Sequence, residues 1–298
     1  MRIFTGVLCI LFLSALLSGC TGTVEKPSYS VDNNGSLSVV CPDALATEDI
    51  LTKNETFQKS RITFHTEDGG DVVTYLSEPD NPLGAVIYVP GAGESPASHG
   101  ERMEQYAKAG FAFQYVDIRG NGGETNGIPF GQQLIQSDYE SFKSGVWPQY
   151  YQTVCDISSA RKYLSDRYGV PVFVMGSSNG GRYATVAAGI DPQFSGYIGI
   201  STSDWGLYES AQQGMTGDPL RFAASLEPST YLAKISPRPV WMFHAREDPI
   251  IPFENSQDLF EEARDPKMFI TFNGTHGINP EVDERILSAW AQIYGTRG

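Results

Sequence analysis

The sequence predicts a single α/β domain built on a mainly parallel sheet, and three observations point to it. From about residue 60 onward, short apolar runs alternate with longer stretches of helical periodicity. Gly and Pro close several of those runs, as at Pro90-Gly91 and Gly169. The 298 residues, 41% hydrophobic and 19% charged, suffice for one sizeable core. Strands separated by helices are what a parallel sheet needs, because each strand must return to the same edge through a crossover.

The elements follow in order. Residues 61–66 and 72–76 read as two strands joined by a turn at Asp68-Gly69-Gly70, and 85–89 as a third, wholly apolar strand. A helix is expected over 98–109, a strand at 111–116, and a helix over 150–168 that Gly169 ends. A central strand at 172–175 leads into a helix over 179–188. Strands at 197–200, 240–243 and 268–271 and a last helix over 280–294 complete an eight-stranded sheet with helices on both faces. Two stretches, 124–148 and 203–237, are long for connections inside a compact domain, and long loops are often functional. They carry Phe130, Tyr139, Phe142 and Trp147, then Trp205, Tyr208, Met215 and Phe222, aromatic and apolar side chains suited either to lining an acyl pocket or to packing the excursions onto the domain.

Residues 1–19 read as an export signal, with Arg2 before an apolar run. The run ends in Leu17-Ser18-Gly19-Cys20, which resembles the lipobox of prokaryotic lipoproteins; that resemblance implies a lipid on Cys20 and attachment to a membrane by an N-terminal anchor. A plain secretory signal is the alternative. Residues 20–43 are polar and read as a tether, leaving 44–298 as the folded domain. Cys41 and Cys155 are then the remaining thiols, either paired as a disulfide or both buried and free. No cysteine or histidine spacing suggests a metal site. A formal net charge of -14 disfavours nucleic acid, which is bound through Lys and Arg, and suits neutral or cationic small molecules better.

The chemistry centres on Gly176-Ser177-Ser178-Asn179-Gly180, a G-x-S-x-G pentapeptide directly after an apolar strand and directly before a helix. A sharp strand-to-helix turn leaves no room for side chains two residues either side of the serine, so the glycines fit a turn that exposes Ser178. A hydroxyl is a weak nucleophile until a base takes its proton. Of the four histidines, His65 lies in an early strand, His99 in the loop after the third strand and His244 at the end of a strand, whereas His276 sits in Asn273-Gly274-Thr275-His276-Gly277, a Gly-flanked loop after the last strand. A carboxylate is needed to hold that imidazole, and Asp248 follows the strand at 240–243; Glu247 and Asp204 are its rivals. An oxyanion hole requires two backbone N–H groups, expected from Asn179 and from Ala92 in the small-residue loop Pro90-Gly91-Ala92-Gly93.

With these residues in place, the chain after about residue 60 resembles the α/β-hydrolase superfamily. Val89-Pro90-Gly91-Ala92-Gly93 looks like its oxyanion loop, although Pro90 stands where a His is usual, and Asp117-Ile118-Arg119-Gly120-Asn121-Gly122 looks like its D-x-R-G-x-G turn. Ser178-Asn179-Gly180-Gly181 also looks like elbows of the prolyl-oligopeptidase branch, and dienelactone-hydrolase-like esterases match equally well. The resemblance implies the α/β-hydrolase fold and acyl-transfer chemistry on a small ester or other acyl substrate, without a cofactor. The expected activity is that of an exported serine esterase; the alternatives are a small serine peptidase or amidase and a catalytically silent binding protein of the same fold.

Overall fold

A computed structural model describes residues 29–295. The export signal, Cys20 and the first part of the expected tether lie outside the described residues. All eight expected strands are present: β4 (Gln58–His65), β5 (Asp71–Glu78), β6 (Gly84–Val89), β7 (Phe111–Val116), β8 (Val172–Ser177), β9 (Gly196–Ile200), β10 (Val240–Ala245) and β11 (Lys267–Phe272). Three more precede them: β1 (Tyr29–Val31), β2 (Leu37–Val39) and β3 (Leu45–Lys53). The main sheet has nine strands rather than eight, in the order β11-β10-β9-β8-β6-β7-β5-β4-β3. β6 to β11 run parallel, while β3, β4 and β5 form an antiparallel flank. β3 escapes a reading of hydrophobic pattern because every one of its residues is exposed; it exists by pairing its backbone with β4 at the sheet edge.

The helices are α1 (Gly100–Lys108), α2 (Gln132–Lys143), α3 (Gln149–Tyr168), α4 (Asn179–Ile190), α5 (Leu207–Gln212), α6 (Asp218–Leu226), α7 (Ser229–Ile235), α8 (Phe253–Glu261) and α9 (Pro280–Tyr294). Alternation along β6 sorts the core onto two faces. Ile87 and Val89 pack with Tyr150, Val154 and Ile157 of α3 and with Ala184 and Ala187 of α4. Val86 and Tyr88 point the other way, to Met103 and Tyr106 of α1 and to Ile286 and Trp290 of α9. α3 stops where expected, at Gly169, whose φ of 64° suits a residue without a Cβ. Asn279 starts α9 by accepting a hydrogen bond from the Val282 N–H.

The stretch expected to be a tether is folded from Tyr29 onward. β1 and β2 form a hairpin whose Val31 and Leu37 are buried, and the Leu37 N–H donates to the Tyr231 hydroxyl at 3.0 Å. Tyr29 packs against Tyr151 of α3 with ring centroids 5.1 Å apart. Cys41 is bonded to Cys155 of α3, closing a sequence separation of 114 residues. The segment is too polar to show a period, yet Tyr29, Val31 and Leu37 find partners distant in sequence.

The two excursions form a helical cap on one another. Phe222 of α6 packs against Tyr139 and Phe142 of α2, and Phe130 stacks on Trp205 at 3.5 Å. Two buried carboxylates brace it. Asp138 accepts the N–H groups of Gln149 and Tyr150 at the start of α3, and Glu227 accepts those of Trp205, Leu207 and Tyr208. Burial drives the pKa of Asp138 up to about 6 and that of Glu227, which also lies near Asp204, up to about 7. Glu78 on β5 is likewise pushed by burial to about 7 despite its contact with Arg167.

Two measurements test this framework. Replacing Cys41 and Cys155 together by Ala should lower unfolding free energy by about 2–4 kcal/mol, read as an earlier midpoint in urea without reductant; an unchanged midpoint contradicts a structural role for the bond. The raised carboxylates favour the folded state most when protonated. Their contribution is full below the unfolded value near 4 and is lost as pH rises through 6 to 7, so the melting temperature should fall between pH 5 and pH 8. A flat or rising melting temperature over that range is the contrary result.

Candidate active site

The elbow is built by close backbone packing. Ser178 joins β8 to α4 at φ 52° and ψ −120°, a left-handed conformation that costs a non-glycine residue about 1–3 kcal/mol. A Cβ on Gly176 would sit 2.4 Å from the Gly180 carbonyl oxygen, and one on Gly180 would sit 2.1 Å from that of Val89. Both glycines of the pentapeptide are therefore required, for the reason their spacing implied. The Ser178 N–H donates to the Ile200 carbonyl at 2.9 Å, which ties the turn to β9.

His276 and Asp248 meet as expected. The Nδ1 of His276 lies 2.8 Å and 3.0 Å from the two carboxylate oxygens of Asp248. This contact puts the proton on Nδ1 and leaves Nε2 as the basic nitrogen. The Asp248 side chain is fully buried and also accepts the N–H groups of Ile250 and Ile251, each at 2.9 Å. Burial alone would raise its pKa, but those two donors and His276 outweigh it and hold the carboxyl below its ordinary range. Of the rivals, Glu247 is exposed, and Asp204 instead accepts the Ser229 N–H at the start of α7. His244, on β10, is buried with Nε2 3.0 Å from the Ile251 carbonyl and 3.5 Å from Asp248; it braces the acid loop, and burial lowers its pKa. His65 pairs with Asp71 at the surface.

The loop after β6 leaves one N–H open among residues 91–94. Gly91 donates to Glu94, Gly93 to the Asn121 side chain and Glu94 back to the Gly91 carbonyl, while the Ala92 N–H has no acceptor among the described residues. Asn179 is the first residue of α4, where an N–H has no intrahelical acceptor. Both expected oxyanion donors are thus available. The loops also converge: a methyl group on Gly91 would lie 3.4 Å from the Ser178 Cβ, and one on Gly277, next to His276, would lie 3.6 Å from the Ser177 Oγ.

Sequence reading did not single out Glu94, a carboxylate beside the nucleophile. Its Oε1 lies 3.1 Å from the position of a Gly91 Cβ, and its Oε2 accepts from the Tyr88 hydroxyl, the Gly91 N–H and His99 Nε2 at 2.7, 3.1 and 3.1 Å. Arg102 approaches the other nitrogen of His99 at 2.5 Å, and because a guanidinium only donates, His99 carries its proton on Nε2. Burial would push Glu94 up, but the donors from His99, Tyr88 and Gly91 hold its pKa below the ordinary range. It directly follows the loop Pro90-Gly91-Ala92-Gly93, yet nothing in that loop's composition or spacing marks the next residue as a carboxylate turned inward.

Arg182, on the first turn of α4, reaches from Asn179 to the cap. It donates to the Asn179 side chain at 3.0 Å and lies over the Trp205 ring at 4.2 Å. Of the aromatics in the excursions, Trp205 and Phe130 therefore stand beside the elbow, while Tyr139, Phe142 and Phe222 fill the cap and Trp147 packs on Tyr29. Met215 is exposed. Asp117 and Arg119 are structural: Asp117 accepts the Glu124 and Thr125 N–H groups, and Arg119 bridges Asp68 and Asp156. Among the described residues no group of three or more His, Cys, Asp or Glu could hold a metal ion.

Comparison with known proteins agrees with this fold. Residues 80–217 match the family model described as serine aminopeptidase, S33. The uncharacterized protein YfhR of Salmonella typhi is 25% identical over 224 residues, covering 70% of this chain and 71% of its own. Among solved structures, acetyl xylan esterase 1 from Thermoanaerobacterium sp. JW/SL YS485 superposes with a TM-score of 0.68 at 13% identity, covering 85% of this chain and 89% of its own. The acetyl xylan esterase from Paenibacillus sp. R4 gives 0.67 at 17% identity, covering 85% and 90%. Est1E from Butyrivibrio proteoclasticus, with ferulic acid bound, gives 0.56 at 19% identity, covering 76% and 95%. With the parallel sheet, the strained serine elbow after its central strand and these likenesses together, the chain has the α/β-hydrolase fold.

Proposed function

We propose that the chain is a serine hydrolase that cleaves small carboxylic esters. The observation that supports this reading most directly is the His276 imidazole, oriented by the buried Asp248 on a loop that adjoins the strained Ser178 elbow. In this reading His276 Nε2 takes the Ser178 proton as Oγ attacks the substrate carbonyl. The tetrahedral oxygen is received by the N–H groups of Ala92 and Asn179, and the positive start of α4 favours its charge. His276 then protonates the leaving alcohol, and water, activated the same way, releases the acid from Ser178. Asp248 stays ionised and stabilises the imidazolium. Phe130 and Trp205, stacked on each other with Arg182 of α4 over the Trp205 ring, offer an apolar surface for an acyl group.

Ester rather than amide substrates are favoured by the likeness to two acetyl xylan esterases and to Est1E with ferulic acid bound. A second reading, a serine peptidase or amidase, draws on the description of the family model. We also place the protein outside the cytoplasm, tethered through Cys20; the leader-like start and the Cys41–Cys155 bond, which an oxidising compartment favours, support this.

Ser178→Ala and His276→Ala should each lower kcat by about four to six orders of magnitude, and Asp248→Asn by about four, with little change in fold. Full esterase activity in Ser178→Ala excludes this nucleophile. Short-chain nitrophenyl esters should be turned over faster than aminoacyl nitroanilides; the reverse order favours the peptidase. A folded wild type that neither turns over esters nor reacts with a fluorophosphonate is instead a binding protein.

A further inference from the structure

The carboxyl end of β9 lies between the strand that leads to the nucleophile and the strand that leads to the acid. Three consecutive hydroxyl residues, Ser201, Thr202 and Ser203, occupy it, and all three are buried, at 0%, 0% and 3% exposure. Each holds a different part of the site. The Ser201 Oγ accepts the N–H of Gly277, the residue after His276, at 3.0 Å. The Thr202 hydroxyl donates to the carbonyl of Ser178 itself at 2.9 Å. Ser203 accepts from Arg182 twice, through its carbonyl at 2.9 Å and its hydroxyl at 3.0 Å, and Arg182 in turn holds the Asn179 side chain.

Two details argue against incidental packing. Ser201 has a φ of 46°, and among the described residues it shares positive φ without being glycine only with Ser178. Such a conformation persists where surrounding contacts over-determine it, here the Ser201 N–H to the Phe243 carbonyl and the Oγ to Gly277. Thr202 fits against Gly181, whose added Cβ would lie 2.6 Å from the Thr202 Cβ, so its hydroxyl is aimed rather than free to rotate away with its residue. The loops that need holding have little stiffness of their own. His276 lies between Gly274 at φ 150° and Gly277 at φ 91°, and the elbow at Ser178 is strained.

Taking the proposed catalytic roles as given, we propose that Ser201, Thr202 and Ser203 form a positioning clasp: Ser201 sets the His276 loop, Thr202 the Ser178 turn and Ser203, through Arg182, the start of α4. None of the three touches the reacting atoms. They act by keeping base, nucleophile and oxyanion donor in register, where a shift near 1 Å costs on the order of 10²-fold in rate.

The test compares Ser201→Gly, Ser201→Ala, Thr202→Val and Thr202→Ser in the whole chain, by kcat and KM on a short-chain nitrophenyl ester, melting temperature, and deuterium exchange of the segment 273–279. Glycine relieves the backbone strain at position 201 while removing the hydroxyl. The clasp predicts that Ser201→Gly and Ser201→Ala both lose about 10- to 100-fold in kcat with KM changed less than about threefold. Exchange in 273–279 should speed up roughly five- to tenfold, the scale of one lost hydrogen bond. Thr202→Val should lose kcat similarly, and Thr202→Ser should restore most of it. Wild-type kcat in Ser201→Gly, or a Thr202→Ser variant as impaired as Thr202→Val, overturns the proposal. The exchange measurement needs no turnover: equal exchange in wild type and Ser201→Gly sinks the clasp, whereas a wild type without hydrolase activity sinks the catalytic reading.

Discussion

The approach of α4 to the end of β6 is the constraint on which the site depends. The backbone at Gly180 lies so near the carbonyls of Val89 and Pro90 that no side chain fits between them. That contact sets the start of α4 directly behind Ser178 and lays the oxyanion loop, which continues from Val89, alongside the nucleophile. Hydrophobic burial along β6 and β8 supplies the driving force, since every residue of both strands is buried. A larger residue at either elbow glycine would separate the helix from the strand, and Ser178 would move away from the loop at Ala92.

Carboxylates of the same chemistry are set to different ends by what surrounds them. Asp248 is buried but receives two N–H groups and an imidazole, so the ion is the stable form and can hold His276. Glu227 is buried too, near Asp204, and burial prevails there even though three N–H groups reach it. Glu94 keeps its charge through Tyr88, Gly91 and a His99 whose tautomer Arg102 dictates, and Arg102 is itself held by Asp283 of α9. A line of buried polar contacts therefore runs from the last helix to the oxyanion loop, and buried networks of this kind are costly unless every member is satisfied.

The cap is a product of the two insertions meeting each other. Neither α2 nor α6 alone has a partner face on the sheet as extensive as the one they make together through Tyr139, Phe142 and Phe222. Trp205 joins this layer to the elbow, with Phe130 on one side and the Arg182 guanidinium near its ring. The surface above the Ser178 turn is thus formed by elements that belong to neither the sheet nor that turn, in keeping with a fold that hosts many specificities on one scaffold.

How much was legible in the sequence divides along the range of the interactions. Ser178, Asp248 and His276 were readable as candidates because each follows an apolar strand and two of them are flanked by glycines; strand, turn and elbow are local patterns, and local patterns leave a period or a spacing in the chain. The eight strands from β4 onward were readable for the same reason. Only the tertiary structure decided the rest: β3 at the edge, the hairpin that turns an expected tether into part of the domain, the Cys41–Cys155 pairing, Glu94 near Ser178 and the hydrogen bonds of Ser201 and Thr202 to Gly277 and Ser178. Leu37 meets Tyr231, and Ser201 meets Gly277, across long separations in the chain. Contacts of that kind impose no repeat on the residues around them, since a polar side chain has the same letter whether it faces water or a backbone N–H folded onto it from the far end of the protein.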